Sequence, residues 1–203
     1  MGGRGIILDR DGTLIDVVRD EETGVITTAF HPNQVRLLGG VVEGLGALRD
    51  AGFRFAIATN QPGPAKGHFS RDAVARTNAE VVTVLGRHGI LIEHVASCMH
   101  HPDGGTGGDP SLVGPCPCRK PKPGLLDECM AALGLDRAAS WMVGDTTSDV
   151  AAGAAAGLKT GLLFDTKRCE LCPLREGTGS LRPMPDAQGP NLAKLAERIL
   201  ALG

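Results

Sequence analysis

Aromatic residues supply only 3% of this 203-residue chain, with five Phe, one Trp and no Tyr. A chain so poor in rings has little with which to stack nucleobases, which argues against a single-stranded nucleic acid partner. Charge of one sign is also missing: 21 Lys+Arg stand against 23 Asp+Glu, a formal net charge of -2. That balance provides no field for gripping nucleic acid or an anionic membrane. No stretch reaches the ~18 apolar residues that would span a bilayer. The motif G-x-x-x-x-G-K-[ST] is absent, which disfavours an NTP-binding kinase. The opening residues, MGGRGIILDRDG, place an acidic pair directly after a short apolar run, unlike a secretory signal. Ile6 stands where a myristoylation signal needs Ser or Thr. The expected location is cytoplasmic, and there six cysteines read as metal ligands or free thiols before disulfides.

What is present is an ordinary globular composition, 42% hydrophobic and 22% charged. Short apolar runs at 5–8, 54–59, 94–98, 141–143 and 160–164 predict strands. Helical spacing covers 41–51, 71–87 after a capping Ser70, 124–133, a stretch ending at 156, and 192–202 after a capping Asn191. Strands alternating with helices predict an α/β fold with a doubly wound, mainly parallel sheet. Three segments break the rhythm: polar 16–36, Gly/Pro-rich 102–115, and 165–190, which reads as one long loop.

The first strand runs into Asp9-Arg10-Asp11-Gly12-Thr13. On an extended segment Asp9 and Asp11 point to one side and Arg10 points away. Such a pair needs a cation or a shared proton. Taken alone it also reads as a charged turn. An ionised Asp can attack phosphorus, and its neighbour can serve as general acid and base. A second pair, Asp145 and Asp149, opens the helix after the fourth strand, where simple capping is the plainer reading. A parallel sheet brings both acidic turns to one edge. Four carboxylates there total -4, and oxygen-only ligands suit Mg²⁺. The hydroxyl and amides of Thr59, Asn60 and Gln61, at the second strand's end, can hold phosphate oxygens. Lys120 can supply the fixed positive charge that phosphoryl transfer needs.

The ordered set DRDGT, ATNQ, RKPKPG and VGDTTSD resembles the haloacid dehalogenase (HAD) superfamily of phosphatases. Within it, the chain is most similar to the branch of the heptose-bisphosphate and histidinol-phosphate phosphatases, over roughly residues 5–164. The resemblance implies Asp9 as nucleophile and Asp11 as general acid/base, with Thr59 and Lys120 stabilising the phosphoryl group. It implies Arg119 as a substrate contact, beside Asn60 and Gln61. It also implies Mg²⁺ on Asp9, Asp145 and the backbone carbonyl of Asp11, with Asp149 behind them. The gaps of fifty residues from Asp9 to Thr59 and sixty-one from Thr59 to Lys120 leave no room for a cap domain of ~100 residues. Residues 1–203 are therefore expected to form one HAD-like domain.

Cys98-x-His100 and Cys116-x-Cys118 flank the Gly-rich loop, and three thiolates with one imidazole match a closed Zn²⁺ site. His101 could replace His100; the family pattern favours His100. The same feature marks the heptose and histidinol branch. Zinc would clamp the loop that carries Arg119 and Lys120. Cys169 and Cys172 are read as unbonded loop thiols or a local structural feature, outside any redox role.

Two departures from the family bear on substrate. The segment between Leu14 and Gly40 is longer than in typical heptose-bisphosphate phosphatases, and Thr146 stands where close relatives carry Lys or Arg. A polar site without aromatics suits a small phosphate ester. The first choice is heptose 1,7-bisphosphate, with Arg19, His31 and Arg36 as substitute cations. The alternative is histidinol phosphate, whose amine could meet Asp16, Asp20, Glu21 or Glu22. A catalytically idle, zinc-clamped interaction module on the same fold is the rival of a different class.

Overall fold

The computed structural model describes residues 2–19, 22, 24–164 and 183–202. Its centre is β1 (Gly5–Leu8), four consecutive residues buried on both faces of a sheet, as the uninterrupted apolar run GIIL demands. Ile6 and Leu8 face one layer of core with Leu45, Phe55, Trp141 and Leu195. Ile7 faces the other with Leu125, Leu126, Met130 and Met142. That alternation is the two-residue period of a strand.

After β1 the chain makes a small antiparallel hairpin, β2 (Val18–Arg19) and β3 (Ile26–Thr27). It continues through α1 (Val41–Asp50), β4 (Arg54–Asn60), α2 (Gly63–Lys66), α3 (Arg71–Arg87) and β5 (Ile92–Cys98). Then come α4 (Gly124–Leu133), β6 (Trp141–Gly144), α5 (Thr147–Ala155), β7 (Lys159–Leu163), β8 (Ala187–Gly189) and α6 (Leu192–Ala201). The main sheet has the order β5-β4-β1-β6-β7-β8, and its five strand pairs are all parallel. The chain therefore winds outward from β1 to β5, then returns to lay β6 on the opposite side. That reversal opens a crevice beyond the carboxyl ends of β1, β4 and β6, where open α/β sheets place their ligands.

Local signals in the sequence explain the helix ends. Ser70 Oγ accepts from the Ala73 N–H at 3.1 Å and Asn191 Oδ1 from the Lys194 N–H at 2.9 Å, each satisfying a donor at a helix start. Among the described residues, no helix is long and apolar enough to cross a membrane.

The structure departs from expectation in two segments. Within 16–36, β2 pairs with β3 over two residues a side, too short a ladder for periodicity to reveal. Within the expected long loop 165–190, Ala187–Gly189 adds a sixth strand. Its sequence, AQG, has no strand propensity; pairing is set by Asp186, whose Oδ2 accepts from the Thr160 N–H at 2.7 Å and hydroxyl at 2.9 Å. Tertiary context overrides propensity there. Cys169 and Cys172 lie outside the described residues, as do Asp20 and Glu21.

Candidate active site and metal centres

Asp9 follows β1 directly, and its N–H still donates to Val143 of β6 at 2.9 Å. The chain then turns sharply, with Leu14 and Ile15 N–H groups both donating to the Arg10 carbonyl. Gly12 makes the turn possible: its φ is +81°, and a Cβ there would lie 2.2 Å from Asp145 Oδ2. Only glycine lets the two acidic loops approach this closely. Gly144 plays the same part behind Asp149, whose Cγ would lie 2.3 Å from an added Cβ.

Carboxylate oxygens of Asp9, Asp145 and Asp149 converge to within 4.8 Å of one another, all three residues buried. Lys120 reaches into this group with its side chain only 2% exposed. Its ammonium lies 2.7 Å from Asp9 Oδ1 and 2.6 Å from Asp149 Oδ1, and it donates to the Ala58 carbonyl at 2.7 Å. All three of its donors are thereby used. Burial opposes its charge, but Asp149 and Asp9 together hold the ammonium above its ordinary range. Asn60 fixes the backbone beneath it, donating to the Lys120 carbonyl and accepting from its N–H, each at 3.0 Å. Asp149 Oδ2 meanwhile accepts from the Thr146 N–H at 3.0 Å and hydroxyl at 2.6 Å, closing the first turn of α5.

Burial pushes the Asp9 carboxyl up to about 6; Lys120 pulls against the rise, while Asp149 and Asp11 add to it. Burial also carries Asp145 well above the usual carboxylate range, with Asp9 and Asp149 contributing. These are groups short of positive charge. The expected total of -4 needs correction, because two buried cations, Lys120 and Arg10, reduce it to -2. A single divalent cation balances that remainder, and the oxygen donors fit Mg²⁺.

The expected orientation of the first acidic turn also needs correction. Asp9 and Asp11 do reach the same cavity, but Arg10 between them does not point away. Arg10, fully buried, folds over the Asp11 carboxylate, with Nε 3.0 Å from Oδ2 and Nη2 3.1 Å from Oδ1. Gln61, also fully buried, donates to Asp11 Oδ2 at 2.7 Å and to Thr59 Oγ1 at 2.9 Å. Sequence reasoning missed Arg10 as part of the site; its position between two motif carboxylates was the available signal.

Asp9, Asp11, Thr59, Asn60, Lys120 and Asp145 line one cavity of about 330 Å³, roofed by Val17 and by Ile26, Thr27 and Thr28 of the hairpin. Gln61 stands behind that wall. Arg119, from the adjoining loop, donates to the His100 carbonyl at 3.3 Å. Arg19 is ion-paired with Asp16 at 3.3 Å, Arg36 donates to the Val35 carbonyl at 2.8 Å, and His31 caps a short 3-10 turn. None of these three side chains lines the cavity.

Beyond β5, ligand atoms of Cys98, His100, Cys116 and Cys118 lie within 4.8 Å of one another. Cys98 Sγ is 3.7 Å from Cys116 Sγ and 3.8 Å from His100 Nδ1, and Cys118 Sγ is 3.6 Å from that nitrogen. A tetrahedral zinc with sulfur ligands at ~2.3 Å has edges of ~3.7 Å, so the donor set and spacing fit zinc. The Cys98–Cys118 edge is tighter, 3.0 Å. His101 faces elsewhere, its Nδ1 accepting from the Asp103 N–H at 3.2 Å. Cys129 is separate: burial pushes its thiol up to about 12, and it packs into the core from the buried face of α4.

Comparison with known proteins places this geometry in a family. The HAD-hydrolase-like profile matches residues 117–169. A D-glycero-beta-D-manno-heptose-1,7-bisphosphate 7-phosphatase of Pasteurella multocida is 33% identical over 80% of this chain and 82% of its own length. One from Mesorhizobium japonicum is 35% identical over 98% of this chain and 83% of its own. A crystal structure of the D,D-heptose 1,7-bisphosphate phosphatase of B. bronchiseptica, complexed with magnesium and phosphate, superposes with a TM-score of 0.71 at 27% identity, covering 98% of this chain and 99% of that one. With its parallel sheet and its acidic loops meeting at one edge, the chain belongs to the heptose-1,7-bisphosphate 7-phosphatase family of HAD-like phosphatases.

Proposed function

We propose that this chain hydrolyses the 7-phosphate of D-glycero-D-manno-heptose 1,7-bisphosphate through an aspartyl phosphate on Asp9. The observation that carries the chemistry is the buried contact between Lys120 Nζ and Asp9 Oδ1 at 2.7 Å, on the wall of an open cavity. The choice of sugar rests on the relatives' names.

In the first step an Asp9 oxygen attacks phosphorus, the ester P–O bond breaks, and Asp11 gives a proton to the departing alkoxide. In the second, water attacks the same phosphorus, Asp11 takes its proton, and the bond from phosphorus to Asp9 breaks. Thr59 and Lys120 bind phosphoryl oxygens, and Lys120 offsets charge on Asp9 between turnovers. Asn60 and Gln61 act on the substrate through the groups they orient, Lys120 and Asp11 respectively, and Arg119 meets the substrate at the cavity rim. Mg²⁺ held by Asp9, Asp145 and the Asp11 carbonyl would neutralise the phosphate's charge. Zinc held by Cys98, His100, Cys116 and Cys118 would stiffen the loop leading to Arg119 and Lys120. In this reading residues 1–203 work as one cap-less domain in the cytoplasm, on a small-molecule phosphate ester. None of the four described cysteines is paired in a disulfide, which suits that compartment.

Phosphate release measured with Mg²⁺ tests the reading, with heptose 1,7-bisphosphate and histidinol phosphate assayed in parallel. The heptose ester is expected to turn over, and Asp9→Asn to abolish the reaction. Native-rate hydrolysis by Asp9→Asn would sink the mechanism. Efficient turnover of histidinol phosphate alone would replace the substrate and leave the mechanism standing.

A further inference from the structure

Arg10 is fully buried, yet it is spent on neither the core nor a single ion pair. Its guanidinium joins three parts of the molecule directly and a fourth, β5, through Asn78. It holds both oxygens of Asp11. Nη2 donates to Thr28 Oγ1 and to the Ala29 carbonyl, each at 2.7 Å, where the chain leaves β3 of the roofing hairpin. Nη1 donates to Asn78 Oδ1 at 2.7 Å, and Asn78 in turn donates to Ser97 Oγ of β5 at 2.9 Å.

Seen from Asp11, four donors meet the carboxylate, and one of these bonds opens when Asp11 carries the proton it delivers. Oδ1 accepts from Arg10 Nη2 and from the Ala29 N–H at 3.2 Å. Oδ2 accepts from Arg10 Nε and from Gln61 Nε2 at 2.7 Å. The hydroxyl of Thr28 closes the ring, donating to Gln61 Oε1 at 3.2 Å. A carboxylate offers about four acceptor positions, and here Arg10 and the hairpin fill three. Any shift of Thr28 and Ala29 is thus passed to Asp11 through a rigid planar fork.

We propose that Arg10 is the positioning residue for Asp11, fastening that carboxylate to the roofing hairpin so that the two are oriented as one unit. The inference rests on the reading of Asp11 as general acid and base. Proton delivery to a leaving oxygen needs a heavy-atom separation of ~2.6–3.2 Å, and a misplacement of ~1 Å costs about 100-fold in rate. Lysine cannot replace the fork, because one ammonium cannot hold both Asp11 oxygens and the hairpin in a plane.

The test uses the leaving group. An alkyl phosphate needs a proton on the departing oxygen; an aryl phosphate with an acidic phenol does not. Asp11→Asn, Arg10→Lys and Thr28→Val are compared with the parent protein on an alkyl sugar phosphate and on p-nitrophenyl phosphate, with Mg²⁺ present. For Asp11→Asn and Arg10→Lys the ratio of alkyl to aryl kcat/KM is expected to fall by about 100-fold. For Thr28→Val it falls in the same direction by a smaller factor. Equal losses on both substrates for Arg10→Lys, alongside a selective loss for Asp11→Asn, would make Arg10 a merely structural residue and overturn the proposal. If Asp11→Asn itself loses both activities equally, the reading of Asp11 fails and this inference falls with it. Should Arg10→Lys not fold, Thr28→Val decides alone, and an unchanged ratio overturns the proposal.

Discussion

Lys120 and Asp149 meet at 2.6 Å with both side chains only 2% exposed, and the same carboxylate's other oxygen closes the first turn of α5. One residue thus fastens the active-site cation and the helix that follows the Asp145 loop. A buried pair of this kind adds little compared with an apolar replacement, but removing one member leaves the other charge uncompensated. Because Lys120 keeps Asp9, Asp149→Asn is expected to destabilise the fold by about 1–2 kcal/mol, less than a wholly uncompensated charge would cost. It should also lower kcat, because Lys120 keeps Asp9 but loses the anchor on its far side. Thermal unfolding and phosphate release check the two effects, and an unchanged melting temperature would count against the pairing.

The crowding of acids has a signature in pH. Asp9 rises from 3.8 to about 6, and Asp145 moves in the same direction. Both bind protons more tightly in the folded chain than in the unfolded one. Their contribution to stability is thus fully present below 3.8 and is lost as pH rises through about 6. EDTA-treated protein is expected to lose melting temperature across that window. Mg²⁺ should then raise the melting temperature more at about pH 7.5 than at about pH 5. An Asp145→Asn variant should flatten the metal-free profile. A Mg²⁺ effect independent of pH would be the contrary result.

Much of this site was legible before any coordinate. GIIL followed by DRDGT foretells a buried strand opening into an acidic turn. The spacing of Cys98, His100, Cys116 and Cys118 foretells one cluster. What escaped was whatever depends on distant partners. AQG becomes β8 only because Asp186 finds Thr160. Arg10 looks like a residue turned outward by strand alternation, yet the strand ends one residue before Asp9. Its burial is decided by Asn78, Thr28 and Ala29, which are remote in sequence. Local patterns report period and spacing; they do not report who satisfies a buried charge.

The cysteine cluster makes its own prediction. Cys116→Ser is expected to abolish binding of about one zinc per chain, to lower the melting temperature and to reduce kcat. The rate should suffer because Arg119 and Lys120 directly follow Cys118. Lys122 adds a strap across the same loop, its Nζ 2.6 Å from the Cys116 carbonyl. Cys129→Ala serves as the control: it trims a core thiol and should cost stability without changing metal content. Elemental analysis with unfolding curves separates the two, and zinc retained in Cys116→Ser would remove that residue from the ligand set.

A bisphosphate substrate brings a second phosphate that also needs a partner. Among the described residues lining the cavity, Lys120 is the one cation, and it is held by Asp9 and Asp149. Thr146 and Ser148 stand at the wall instead, their hydroxyls 2.8 Å apart. Arg19, His31 and Arg36 lie off the cavity, so Arg19→Ala and Arg36→Ala should leave KM unchanged for mono- and bisphosphates alike. Thr146→Lys places a flexible ammonium at the rim, where a partly exposed charge pair contributes ~1 kcal/mol. KM for heptose 1,7-bisphosphate is then expected to fall about fivefold, with little change for the corresponding 7-monophosphate. The substitution also removes the hydroxyl that Asp149 accepts at the start of α5, so melting temperature should drop by the equivalent of about 1 kcal/mol. Stability and KM thus move separately and can be read separately. A KM that falls equally for both esters would mean that the new cation meets the 7-phosphate itself, and that the second phosphate lies elsewhere.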